Sequence, residues 1–96
     1  MKPSIALEKH RLAVREAARR FNTLNPRVFG SVLHGEDREG GDLDLLVDPL
    51  PGVTLLDLGG LQVELEEMLG VPVDLLTPGD LPPKYRRKVL SEARPV

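Results

Sequence analysis

Asp42 and Asp44 are the residues whose types and spacing most directly point to chemistry. They open the run Asp42-Leu43-Asp44-Leu45-Leu46-Val47, which reads as a strand from Asp42 to Asp48. Residues two apart on a strand share a face, so the two carboxylates aim at one point, about 6.5–7 Å apart along the backbone. Such a pair suits a hard divalent cation with oxygen ligands, magnesium above all. Eleven residues before Asp42, the pair Gly30-Ser31 follows the short apolar run Arg27-Val28-Phe29. A small-residue turn at a strand end exposes backbone N–H groups, which suit a phosphate. Carboxylates for metal beside amides for phosphate point to phosphoryl or nucleotidyl transfer.

A third acid, Asp74, interrupts the apolar run Val73-Asp74-Leu75-Leu76. A charge there is costly unless it is paired, bound to a cation or turned to water at the strand end. Two-metal phosphoryl transfer uses cations about 3.5–4 Å apart, one on the attacking oxygen and one on the leaving side. Two carboxylates can bridge both ions and a third can complete the nucleophile-side ion. Asp74 suits that last role if its strand neighbours the one carrying Asp42 and Asp44.

The elements that must position these groups are legible in outline. Residues 4–22 read as an amphipathic helix with Ser4 as N-cap, burying Leu7, Val14, Ala17, Ala18 and Phe21. Ile5 and Leu12 fall on the opposite face, beside Arg11, Arg15 and Arg19, as incidental surface or part of a partner-binding face. His10 lies next to Leu7 and Val14 and is assigned no role. Asn25-Pro26 marks a turn, Arg27–Phe29 a short strand and Ser31 to Gly35 a single helical turn. Pro49, Pro51 and Gly52 end the second strand. Leu55, Leu58, Leu61, Leu65, Met68 and Leu69 form a second helical stripe, closed by Gly70. Val73–Leu76 is a third strand, and a last helix runs from Pro82 or Pro83 to Ala93, with Tyr85, Val89 and Ala93 packing it onto the sheet. The order fits an α/β (or α+β) domain, a small mixed sheet with helices mainly on one face.

Size and charge narrow the function. The 96 residues make one domain with one core, and the lack of cysteine excludes disulfides and thiolate zinc sites. No apolar run reaches the roughly 20 residues of a membrane span, and the N-terminus lacks a secretory apolar region, so a cytoplasmic protein is expected. The formal net charge of −2 hides a strong asymmetry. Residues 1–35 hold seven Lys/Arg against Glu8 and Glu16; residues 36–80 hold twelve Asp/Glu against Arg38 alone; residues 81–96 hold five Lys/Arg against Glu92. An acidic middle raises the local cation concentration and argues against a simple nucleic-acid binder. The basic cluster Lys84, Arg86, Arg87 and Lys88 reads as a solvated face, or as a contact for phosphates or an acidic partner.

The ordered set Gly30-Ser31, Asp42-Leu43-Asp44 and Asp74 resembles the pattern of the DNA polymerase β-like nucleotidyltransferase superfamily. Overall length, the leading helix and the tail from Tyr85 to Ala93 look most like its MNT-type minimal nucleotidyltransferases. The resemblance covers nearly the whole chain, 1–96, as a single minimal domain. It implies an antitoxin that transfers AMP from ATP to a tyrosine hydroxyl of a HEPN-domain ribonuclease toxin by a two-magnesium mechanism. By motif position, Gly30 and Ser31 would hold the triphosphate, Asp42 and Asp44 two magnesium ions, and Asp74 the nucleophile-side ion. The implied assembly is a hetero-oligomer with the toxin, without nucleic acid or membrane.

The chain departs from the family pattern in two places. Where Gly-Ser-x-Ala-Arg-Gly is common, often with arginine at x, this chain has Gly30-Ser31-Val32-Leu33-His34-Gly35, and Gly41 replaces the usual serine before the first aspartate. Two guanidinium positions are lost, which weakens the expected grip on a triphosphate. A second reading follows, a binding-only antitoxin that covers the toxin without catalysis, using Ile5, Leu12 and Val63. Transfer to a small molecule such as an aminoglycoside requires an acceptor-holding helical domain for which 96 residues leave no room. Template-directed polymerisation would need a thumb and a duplex cradle that are equally lacking.

Overall fold

The apolar stripe of the first helical segment is realised as two helices, α1 (Pro3–Lys9) and α2 (Arg11–Arg20), in the computed structural model, which describes residues 1–96. The break falls at His10, whose φ of −131° and ψ of 23° leave helical space. His10 still donates to the Leu7 carbonyl and accepts from the Val14 amide, so its backbone joins the last turn of α1 to the first turn of α2. Ala6, Leu7, Val14, Ala17 and Ala18 are buried, whereas Ile5 and Leu12 face outward, as the spacing predicts. The start of α1 differs from expectation. Lys2 is its N-cap, and Ser4 instead gives its backbone N–H to the Asp37 carboxylate at 2.9 Å. That bond lowers the Asp37 pKa and fastens the loop after the Gly-Ser motif to α1.

β1 (Thr23–Phe29) is longer than the expected Arg27–Phe29. Asn25-Pro26 is a bulge within the strand rather than a turn before it. Asn25 has φ 53°, and the antiparallel register with β2 (Leu43–Pro49) slips between Leu24 and Arg27. Asparagine tolerates this left-handed conformation better than most residues. The one-turn helix α3 (Gly30–Leu33) follows directly. α4 (Leu55–Leu69) begins with a reciprocal capping box between Thr54 and Asp57 and ends at Gly70, which takes φ 70°. β3 (Val73–Leu76) has the expected bounds. A 3-10 turn (Pro78–Asp80) and α5 (Pro83–Glu92) follow, and a two-residue strand β4 (Arg94–Pro95), absent from the sequence reading, closes the sheet.

The strand order is β3-β2-β1-β4, with β2 and β3 parallel and the other pairs antiparallel. This is the mixed sheet the sequence leads one to expect. Val28, Leu43, Leu45 and Val73 point to the helical face and join Leu7, Val14, Leu61, Leu65 and Leu69 in one core. Each fully buried leucine removes apolar area worth about 1.5–3 kcal/mol from water. The opposite face carries Asp44, Leu46 and Asp48 of β2 by alternation. There α3 and the 3-10 turn lie against β2 and Leu46 is fully buried, while α5 buries no residue fully. One face of the sheet therefore builds the core, and the other is left open at the end where β2 and β3 begin.

Candidate functional site

The open end is assembled by strand register. Phe29 pairs with Asp44 across β1 and β2, and Asp44 pairs with Asp74 across β2 and β3. Registered residues share a face, so the Asp44 and Asp74 side chains stand directly opposite one another. Asp42 lies one residue before β2, at its lip, where the Leu43 amide bonds the Pro72 carbonyl at 2.9 Å and ties the starts of the two strands together. Like charges in this relation repel, and no cationic side chain pairs with any of the three in the structure's salt bridges. The consequence is visible at Asp44, whose pKa is pushed up to about 6 by burial first, then by the charges of Asp74 and Asp42.

Gly30 explains why the turn after β1 must be glycine. Its φ is +71°, and a Cβ added there would lie 2.0 Å from Asp44 Oδ2 and 3.0 Å from Asp44 Cγ. Any larger residue would push the carboxylate aside, besides straining the backbone. Gly30 thus lets α3 start against the Asp44 carboxylate, and no side chain caps the amides of its first turn. Ser31 is the second residue of that helix. The five residues singled out by motif, Gly30, Ser31, Asp42, Asp44 and Asp74, therefore lie at one end of the sheet, on the adjoining ends of three strands and one short helix.

No three acidic or histidine side chains stand close enough together to hold a metal ion as they are placed. The donor set nevertheless fits a divalent cation: carboxylate oxygens of the hard type magnesium selects, crowded enough to raise the pKa of Asp44. A cation between them would remove the repulsion that unneutralised carboxylates show.

Several side chains that sequence reasoning left open acquire definite places. His34 does not reach toward the acids. Its Nδ1 lies 3.0 Å from the Gly30 carbonyl, and Nε2 faces Glu92 of α5 at 3.5 Å. Arg86 is not a free cation of the basic cluster: its guanidinium donates to the carbonyls of Pro78, Gly79 and Leu81 and pins the 3-10 turn to α5. Tyr85 does not pack onto the sheet as expected but is 53% exposed. It lines a cleft of about 220 Å³ between α3 and α5, of which Gly30 is also a wall. The pairing of Arg27 with Asp48 was missed altogether. Its signal was available only once the register was known, because Arg27 reaches diagonally across β1 and β2 to bind both oxygens, at 2.9 and 3.1 Å.

Comparison with known proteins agrees with this geometry. The nucleotidyltransferase domain family matches residues 7–96. A protein adenylyltransferase, MntA, of Thermococcus cleftensis is 37% identical over 86 residues, 90% of this chain and 84% of that protein. A solved structure described as that of a minimal nucleotidyltransferase superposes with a TM-score of 0.86 at 45% identity, covering 97% of this chain and 95% of that one. The fold also matches a chain of a toxin–antitoxin complex solved with AMP-PNP, at a TM-score of 0.71 and 18% identity, over 83% of this chain and 66% of that one.

Proposed function

The chain belongs to the nucleotidyltransferase domain family, as a minimal nucleotidyltransferase, and from that premise we propose that it is a protein adenylyltransferase acting as an antitoxin. In this reading it transfers AMP from ATP to a tyrosine hydroxyl of a HEPN ribonuclease partner and silences it. The observation that carries the reading is the Asp44 carboxylate, crowded by Asp42 and Asp74 and lying against Gly30. The adenylyltransferase relative and the AMP-PNP complex of the same fold support a nucleotide substrate and a toxin partner.

Each residue then has a task. Gly30 and Ser31 offer the first-turn amides of α3 to the triphosphate, and Gly30 keeps the approach clear of any side chain. Asp42, Asp44 and Asp74 would hold two magnesium ions, with Asp74 serving the one on the nucleophile side. Magnesium, when bound, supplies charge neutralisation on the phosphates and lowers the pKa of the incoming hydroxyl. Asp74 is exposed, as Asp42 is, and it alone of the trio lies on an edge strand, where an acceptor from another protein can approach it. The attacking tyrosine oxygen forms a bond to the α-phosphorus, the bond to the bridging oxygen breaks, and pyrophosphate leaves.

The test is transfer of label from ATP to a HEPN ribonuclease encoded by a neighbouring gene, with magnesium present. Label should appear on the toxin and vanish with Asp42→Asn and Asp44→Asn. No transfer between proteins that demonstrably bind one another sinks the catalytic reading.

A second reading, neutralisation by binding alone, draws on two observations. His34 is turned to the Gly30 carbonyl and Glu92, so it does not replace a lost arginine. Ile5, Leu12 and Val63 are 46%, 67% and 54% exposed, apolar surface that a partner could cover. If the Asp42→Asn, Asp44→Asn chain still neutralises the toxin at equal stoichiometry, this second reading replaces the first.

A further inference from the structure

We infer that the cleft between α3 and α5 holds the base of the nucleoside triphosphate, with the ring of Tyr85 as its stacking surface. The inference rests on the nucleotide reading of the site and specifies where the non-reacting half of that substrate lies. The cleft, of about 220 Å³, has an apolar lining from Phe29, Leu33 and Val89, and Tyr85, Lys88 and Glu92 also line it. That is the make-up a flat aromatic ring with polar edges requires: apolar and aromatic faces for the ring, a few polar groups for the rim. Lys88 and Glu92 are four residues apart on α5, hence on the same side of the helix, and supply a donor and an acceptor. One face of the Tyr85 ring is held by the Lys84 ammonium, 5.6 Å from its centroid.

Continuity with the acids selects the occupant. Gly30 is a wall of this cleft and at the same time the residue against which the Asp44 carboxylate lies. A triphosphate on the Gly30-Ser31 turn therefore has the cleft beside it. A larger cleft, of about 330 Å³, is lined by Arg15, Arg19 and Asn25 among others, but touches none of Gly30, Asp42, Asp44 or Asp74. It cannot take the base of the same molecule. The position of Tyr85 also gains a reason, since a half-exposed aromatic ring that stabilises no core is available to a ligand.

The chain has one tyrosine, so ring resonances in an NMR titration report on Tyr85 alone. Magnesium with ATP should move the Tyr85 ring and Val89 methyl signals, whereas magnesium with inorganic tripolyphosphate should move only the amides of Gly30 and Ser31. Tyr85→Ala should weaken ATP binding about tenfold, the lower range for loss of one base–aromatic stack, and leave tripolyphosphate binding unchanged. Tyr85→Phe should keep the affinity. The inference is overturned if ATP shifts Gly30 and Ser31 yet leaves the Tyr85 ring as tripolyphosphate does. It is equally overturned if Tyr85→Ala weakens both ligands alike, which would mark a structural role. If the wild-type chain binds neither ligand, the nucleotide site itself is wrong and the base cleft falls with it.

Discussion

Asp44 and Asp48 stand on the same face of the same strand, four residues apart, and the surrounding structure treats them in opposite ways. Asp48 receives two hydrogen bonds from the Arg27 guanidinium and one from the Asn25 amide, which hold its pKa below the usual carboxylate range. Asp44 receives no such partner, and burial together with two further carboxylates drives its pKa upward. The distal end of β2 is a finished structure. The proximal end is left with charge unbalanced, the condition expected where a cation and a polyphosphate are to bind. Residues that contribute to folding and residues that cost it are thus separable along one strand.

The sharpest way to break this contrast is to exchange the two acids' fates. Asp44→Asn should reduce nucleotidyl transfer by a factor on the order of 10²–10³ or more. Asp48→Asn should leave specific activity near that of the wild type. Equal losses in an ATP-labelling assay would erase the distinction. Gly30→Ala comes next. The added carbon collides with Asp44 Oδ2 in a backbone at φ +71°, so activity should fall with Asp44 displaced. Stability should fall as well, by about 1–2 kcal/mol for the left-handed strain, measured by denaturant melts.

At the structural end, Arg27→Met should cost about 1–2 kcal/mol by removing a bidentate pair whose arginine is largely buried and whose aspartate is half-exposed, while sparing magnesium binding. A melt and a calorimetric titration check the two halves of that statement. The smallest effect concerns pH in metal-free buffer. Because the folded pKa of Asp44 is raised from 3.8 to about 6, the native state binds the proton more tightly than the unfolded chain. Its contribution is favourable below pH 4 and is lost as pH rises from about 4 to 6, by about 1 kcal/mol after allowance for solvent screening. Asp48 has the reverse sign: its stabilisation is present above pH 4 and lost on acidification. Asp44→Asn should flatten the loss above pH 4, and magnesium should restore stability to the wild type but not to that variant.

The architecture was legible where local rules acted alone. The leucine stripe of α4, its Gly70 stop and the Val73–Leu76 strand are signals contained within a few residues, and the expected bounds hold. The acidic trio could be listed from spacing, but its meeting depended on β3 lying parallel beside β2 in a register that pairs 44 with 74. Long-range partners stayed hidden. Asp37 serves a helix 33 residues away, and Asn25-Pro26 carries a turn signature that the flanking pairings absorb as a bulge. β4 has only two residues, one of them proline, too short for any periodicity to reveal. Tyr85 was assigned to the sheet by helical spacing, yet nothing opposite α5 closes over it.

The two outer strands have a consequence for how a partner can attach. β4 has two residues, one an imino acid without an amide hydrogen, and β3 has four, preceded by Pro72 and carrying Asp74. Both margins are short and interrupted, which disfavours the addition of a strand from another polypeptide. A protein partner of the kind proposed would then be met mainly by side chains on the helices and loops, where exchange of a few surface residues can change the partner without disturbing the ladder beneath.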